Sequence, residues 1–186
     1  MKHQQLYTDL HIENPYLWVG YSTCDHIDRI KNLIESTEST TLLDYGCGKG
    51  YQYSILKYDE HWKVLVDCYD FAISEFNTLK DEQYDGVISV RVLSTVPDEE
   101  VDIVLKNIFD RANKFVYLVI DKVPGKVFNN KQVIIYNRSQ QWWDDKILEH
   151  NTNGIIVAGY GVSEYPAPLS LPEIVWDPDS PIPLYQ

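Results

Sequence analysis

Hydrophobic positions along the chain change period several times, and each change marks an element. Ile27, Ile30, Leu33 and Ile34 recur at helical spacing behind Ser22 and Thr23, which can cap a helix. An apolar strand at Thr40–Tyr45 follows and stops in a turn holding Gly46, Gly48 and Gly50. The pattern then predicts a brief helix from about Lys49 to Lys57 and a second strand over Trp62–Tyr69. Residues 71–83 carry no clear period, and Tyr84–Val90 reads as a third strand. Pro97 with Asp98, Glu99 and Glu100 opens a helix, because acidic residues suit the positive end of the helix dipole. Val101, Val104, Leu105, Ile108 and Ala112 form its apolar stripe. Lys114–Ile120 is β-branched, aromatic and continuous enough to be a strand buried on both faces. Pro124-Gly125 marks a turn, after which come extended Gln132–Tyr136, a helix over Ser139–His150 and a strand over Gly154–Tyr160.

Strands alternating with helices at this spacing predict one α/β domain with a parallel or mostly parallel sheet and helices on both of its faces. Residues 1–21 show no period and end in an aromatic cluster, so they read as an arm leading into a domain at 22–162. Residues 163–186 hold most of the nine prolines and read as an acidic, extended tail.

Composition narrows the function. With 44% hydrophobic residues in 186, the chain can bury a sizeable core. Its apolar runs are too short to span a bilayer, and the N-terminus lacks the apolar stretch of a secretion signal. Three cysteines, Cys24, Cys47 and Cys68, lack CxxC spacing, and the five histidines show no metal spacing, so neither disulfide framework nor metal site is expected. A reducing cytoplasm is the simple reading. Sixteen basic residues face 28 acidic ones, a net charge of −12 that disfavours nucleic acid and anionic membrane as partners. A small molecule or another protein fits better, although acidity also serves solubility alone. Nothing in the sequence speaks to oligomeric state.

The chemistry concentrates at Leu42-Leu43-Asp44-Tyr45-Gly46-Cys47-Gly48-Lys49-Gly50. A strand, a glycine turn and a helix form the ligand-binding end of an open α/β sheet, and glycines let a ligand lie against bare backbone. A dinucleotide GxGxxG would need glycine where Tyr51 stands, and a phosphate loop GxxxxGK[ST] fails at Leu43 and Gly50. What remains is DxGxGxG with an acidic residue at the strand end.

This stretch resembles the first motif of class I S-adenosylmethionine (SAM)-dependent methyltransferases, DxGCGxG after a hydrophobic strand. Tyr84-Asp85-Gly86-Val87-Ile88 is similar to the family's FDxV strand opening, and Phe115–Ile120 to its fifth strand. The stretch Tyr69–Phe76 and the pair Trp142-Trp143 most resemble small methyltransferase-like proteins of the kind found in phage genomes. The resemblance covers about residues 16–160 and implies a Rossmann-like, seven-stranded methyltransferase sheet in three layers, binding SAM. It implies that Asp44, Tyr45, Gly46, Cys47, Gly48, Gly50 and Tyr69 shape the cofactor pocket. An acidic residue at the end of the second strand would hold the ribose hydroxyls, a task suited to a carboxylate that accepts both hydrogen bonds. Asp70, next to Tyr69 and about twenty residues after Gly50, fits that place, with Asp67 the alternative. Arg91, Val92 and Leu93 would sit near adenine and the methyl group.

The pattern also departs from the family. Many relatives carry DVLEH where this chain has Arg91-Val92-Leu93-Ser94-Thr95, so no acid/base pair is evident and no catalytic residue is assigned. An acceptor that is already nucleophilic needs none, since the sulfonium carries the hard chemistry. The expected activity is methyl transfer to a small-molecule or protein-borne acceptor; the alternative is a catalytically silent SAM-fold or partner-docking protein. Trp18 and Tyr21, with Tyr16, could form an aromatic lid or simply a staple onto the first helix. Trp142 and Trp143 point different ways on one helix, so at least one belongs to the core. Asp121 reads as a solvated strand end, and Cys47 as a small residue beneath a ligand.

Overall fold

The computed structural model describes residues 2–122, 126–128, 131–133, 138–159 and 162–164. In chain order these form α1 (Lys2–Glu13), a 3₁₀ turn at Cys24–His26, α2 (Ile27–Ser36), β1 (Thr41–Tyr45), α3 (Tyr51–Ser54), α4 (Tyr58–Trp62), β2 (Leu65–Tyr69) and β3 (Tyr84–Val90). A second 3₁₀ turn at Leu93–Thr95 precedes α5 (Asp98–Arg111), β4 (Ala112–Lys122), β5 (Lys126–Phe128), β6 (Lys131–Val133), α6 (Gln140–His150), β7 (Ile156–Ala158) and β8 (Val162–Glu164).

Five strands lie side by side in the order β2-β1-β3-β4-β7, all parallel. The strand β8 pairs with the far end of β4, Ile120 opposite Val162, so β7 and β8 follow one another along the same edge. The strands β5 and β6 form a separate antiparallel pair. The expected seven strands in one sheet are therefore not reached among the described residues. No helix among them is long and apolar enough to cross a membrane.

Side chains alternate across each strand, and two apolar clusters result. Leu43, Tyr45, Val87, Val116, Leu118 and Ile120 meet Val101, Leu105, Ile108 and Phe109 of α5 and Trp143 and Ile147 of α6. Leu42, Ile88, Val90, Phe115, Tyr117 and Val119 meet Ile30 and Ile34 of α2, Tyr53 of α3 and Trp62 of α4. Each fully buried side chain of this size contributes roughly 1.5–3 kcal/mol, which is how helices of modest propensity are held. Gly86 sits mid-strand because the Phe115 ring crosses it: a Cβ there would lie 2.2 Å from Phe115 Cζ.

Several expectations are corrected. Residues 2–13 are a helix rather than an aperiodic arm. Neither Ser22 nor Thr23 caps α2 with its side chain; the Thr23 hydroxyl donates to Gln52 Oε1 at 2.6 Å instead. The helix expected after the glycine turn is two short ones, broken at Lys57, which takes a left-handed φ of 57°. Trp62 closes α4 rather than opening β2. Residues 71–83 form no helix or strand. By contrast, α5 starts beside Pro97 with three acidic residues in its first turn, and Ser139 caps α6 by accepting the Trp142 N–H at 3.1 Å. Of the expected strand Gln132–Tyr136 only residues 132 and 133 are described, and of the proline-rich tail only Ser163 and Glu164, both within β8.

Candidate functional site

The strand order changes direction between β1 and β3, and open α/β sheets bind ligands at that crevice, beyond the carboxyl ends of the strands. A cavity of about 90 Å³ lies there. In register, Asp44 stands opposite Cys68 and Tyr45 opposite Tyr69, which brings Asp44 and Asp70 to the same end of the sheet. Both line the cavity, with Tyr45, Gly46, Cys47, Gly48, Tyr69, Arg91, Val92 and Trp18. Three expected residues do not: Gly50 starts α3, Leu93 is buried in the α5-side core, and Tyr21 packs its ring 6.2 Å from that of Tyr51. A neighbouring cavity of about 230 Å³ runs along α5 and shares the walls Tyr45, Tyr69, Phe71, Val92 and Thr95. Together the two cavities reach the lower end of the range of small-molecule sites, about 300–1,000 Å³.

Asp70 is bound into the glycine turn itself. Its Oδ2 accepts the Gly48 N–H and its Oδ1 the Ala72 N–H, each at 3.0 Å. Burial raises its pKa above the usual carboxylate range, against the pull of those two N–H groups. Asp67, the alternative, turns away to accept from Lys80 and the Tyr84 hydroxyl, each at 2.7 Å. Asp44 is 2% exposed and accepts from Gln52 Nε2 and from the Tyr53 hydroxyl, the latter at 2.7 Å. Burial pushes its pKa up to about 7; the Tyr53 hydrogen bond opposes this and the charge of Asp70 adds to it.

The glycines are needed first by the protein's own packing. Gly46, Gly48 and Gly50 all have positive φ. A Cβ on Gly46 would fall 2.2 Å from Val92 Cγ2, and one on Gly48 2.3 Å from the Trp18 carbonyl oxygen. The segment 18–20 lies over the turn, accepting the N–H groups of Lys49, Tyr51 and Gln52 on its three carbonyls. Gly46 and Gly48 thus present backbone to the cavity, while their side-chain directions are filled from within.

The roof is the part the sequence did not announce. Helix α1 lays Tyr7 and His11 over the cavity. Tyr7 stacks on Trp18 at 5.1 Å and tilts against Phe71 at 5.7 Å, and His11 tilts against Trp18 at 5.3 Å. Gln4 donates to the Phe71 carbonyl at 3.0 Å. Lys49, from the glycine turn, donates to the carbonyls of His11, Asn14 and Pro15, neutralising the negative end of α1. Burial, and then Lys49, lowers the His11 pKa to about 4, so its imidazole is neutral. Tyr16 of the expected lid is 66% exposed and does not line the cavity.

Arg91 follows β3 with φ of 64°, a sparsely populated conformation for a side-chain-bearing residue. The turn aims its guanidinium at Asp121 (Nε to Oδ2, 3.0 Å) and Asp25 (Nη2 to Oδ2, 3.4 Å). Asp121 is therefore a buried ion-pair partner at 8% exposure, not a solvated strand end. Trp143 is wholly buried, Trp142 packs edge-on beside it under Arg138, and neither borders these two cavities. Cys47 is buried with its thiol on the Gly48 carbonyl, and its hydrogen bond with Cys68 and its burial raise its pKa, so it is no nucleophile. Asp102, Glu149 and His150 gather on α5 and α6, but Lys146 already bridges the two carboxylates. No protein-family model and no curated protein matches this chain.

Proposed function

We propose that this cavity binds SAM and that the protein transfers its methyl group to a small-molecule or protein-borne acceptor. One observation carries the reading. Two buried carboxylates, Asp44 and Asp70, face one cavity at the sheet's switch point, and their hydrogen-bond donors are neutral: amide, hydroxyl and backbone N–H. The nearby cations are committed elsewhere, Lys49 to the carbonyls of α1 and Arg91 to Asp121 and Asp25. Burial has raised both carboxylates above their normal range, and a cationic occupant would return them to the ionised form. The aromatic walls Tyr7, Trp18 and Tyr69 suit the same charge.

In this reading Asp70 holds the ribose, with the glycine turn fixing its rotamer, and Asp44 faces the cationic end. Tyr45, Tyr69 and Val92, which border both cavities, flank the nucleoside. Bound SAM supplies a methyl group on a sulfonium, an electrophile ready for an in-line nucleophile. The residues of this chain orient and exclude water; α1 and the segment 18–20 close the site above. In this reading the sheet is that of a three-layer, Rossmann-like methyltransferase, six of whose strands lie among the described residues. A net charge of −12 points to an acceptor other than nucleic acid.

A second reading, binding without transfer, is favoured by Arg91, whose ion pairs occupy the place where an acid or base would be sought. Calorimetric titration tests the shared premise. SAM is expected to bind, and Asp70→Asn to weaken it by about tenfold or more, the worth of a hydrogen bond to a charged group. No heat at about 1 mM SAM, near the weak limit of ordinary affinities, overturns the cofactor reading; equal affinity in the variant overturns the part given to Asp70. Appearance of demethylated product with candidate acceptors then separates transfer from silent binding.

A further inference from the structure

We propose that His11, on α1, is a ligand-binding residue of this cavity, its Nδ1 accepting a hydrogen bond from an N–H donor on a cationic occupant. For SAM that donor is the amino group, and to that extent the inference rests on the function proposed above.

The imidazole is 7% exposed and lines the cavity, yet its Nδ1 has no hydrogen-bond partner. A buried polar atom without a partner is costly, and native structures rarely keep one without a reason. The ring packs against Trp18, with centroids 5.3 Å apart, and the residue belongs to the lining of the cavity. Lys49 anchors the helix end that carries it through the His11 carbonyl. An apolar residue of similar shape would serve a purely structural roof better. A neutral imidazole also differs from every charged alternative in the role required: it offers a lone pair without repelling a cation, while Asp44 and Asp70 supply the negative charge.

The test uses the whole chain, two readouts and three variants. His11→Phe keeps the ring against Trp18 and deletes Nδ1, His11→Asn keeps a polar atom near the Nδ1 position, and His11→Gln places one near Nε2. Without ligand, His11→Phe is expected to melt about 2–4 °C above the natural protein, because the unsatisfied atom is gone. In SAM titrations it is expected to bind about tenfold or more weakly, with affinity recovered in part by His11→Asn and not by His11→Gln. A lower or unchanged melting temperature for His11→Phe shows that Nδ1 is not held in reserve, and overturns the inference whatever SAM does. If the natural protein binds SAM and His11→Phe binds equally well, the inference falls while the cofactor reading stands. If the natural protein ignores SAM but His11→Phe is stabilised, the cofactor reading falls and the reserved atom stands.

Discussion

Replacing Asp44 by asparagine exposes the electrostatic tension at this site most directly. The carboxyl is wholly buried and its pKa rises from 3.8 to about 7. In the unfolded chain it titrates near its ordinary value, so between about pH 4 and pH 7 the folded state holds a proton that the unfolded state has released. The unfolded state then binds fewer protons, and stability falls as pH rises through that window. A tenfold change in proton affinity is worth about 1.4 kcal/mol, so the full cost above pH 7 is roughly 4 kcal/mol. Asparagine carries no charge and escapes this cost. Gln52 and Tyr53 both donate to Oδ2, a place the asparagine carbonyl can take. The asparagine amide N–H groups then stand at the Oδ1 position without a built acceptor, a constant penalty of about 1 kcal/mol. The two proteins should be close in stability at about pH 4.5, and the Asp44→Asn variant should lead by about 3 kcal/mol at about pH 8.5. Urea denaturation across that range measures the gap directly. A gap that is flat with pH, or that widens towards acid, refutes the argument that Asp44 is held against its charge.

Three further substitutions probe the roof and the turn. Gly48→Ala and Gly154→Ala both place a Cβ at positive φ, but only the first meets backbone, 2.3 Å from the Trp18 carbonyl oxygen, while the second meets nothing within 4 Å. Equilibrium denaturation should show a cost of about 1 kcal/mol at Gly154 and roughly 2–3 kcal/mol at Gly48; equal costs would deny the contact. Lys49→Met removes the donor from three carbonyls at the end of α1. Amide exchange in α1 should accelerate by about tenfold with little change in the sheet, and unchanged exchange would show the lysine to be incidental.

How much of this could be read from the chain depends on where the stabilising contacts lie. The strands β1, β3 and β4 and the helices α5 and α6 announce themselves because each carries its own period and its own start signal, such as Pro97 with three acids or Ser139. Asp70 could be placed because the glycine turn and the strand end set its spacing. Helix α1 could not: its sequence KHQQLYTDLHIE has only Leu6, Tyr7, Leu10 and Ile12 as apolar positions, and Ile12 is 74% exposed. What holds it is remote, Lys49 at its carboxyl end, Phe71 beside Gln4 and Tyr7, and Trp18 under His11. The Arg91–Asp121 pair is hidden for a related reason, since it depends on a left-handed turn at Arg91 that no local residue signals. In the sequence His11 is one of five histidines without metal spacing; its polar face matters only after α1 folds down.

A ceiling made of one twelve-residue helix makes access a question of time. The space beneath α1 is about 90 Å³, smaller than a nucleoside, so in the reading proposed above a molecule of that size takes its full seat there only as the helix gives way. Final seating, as distinct from first contact, is then expected to be paced by how often α1 gives way rather than by collisions. In rapid-mixing experiments the observed rate should climb with concentration and level off at the opening rate, and loosening the helix should raise that plateau before it changes anything at equilibrium.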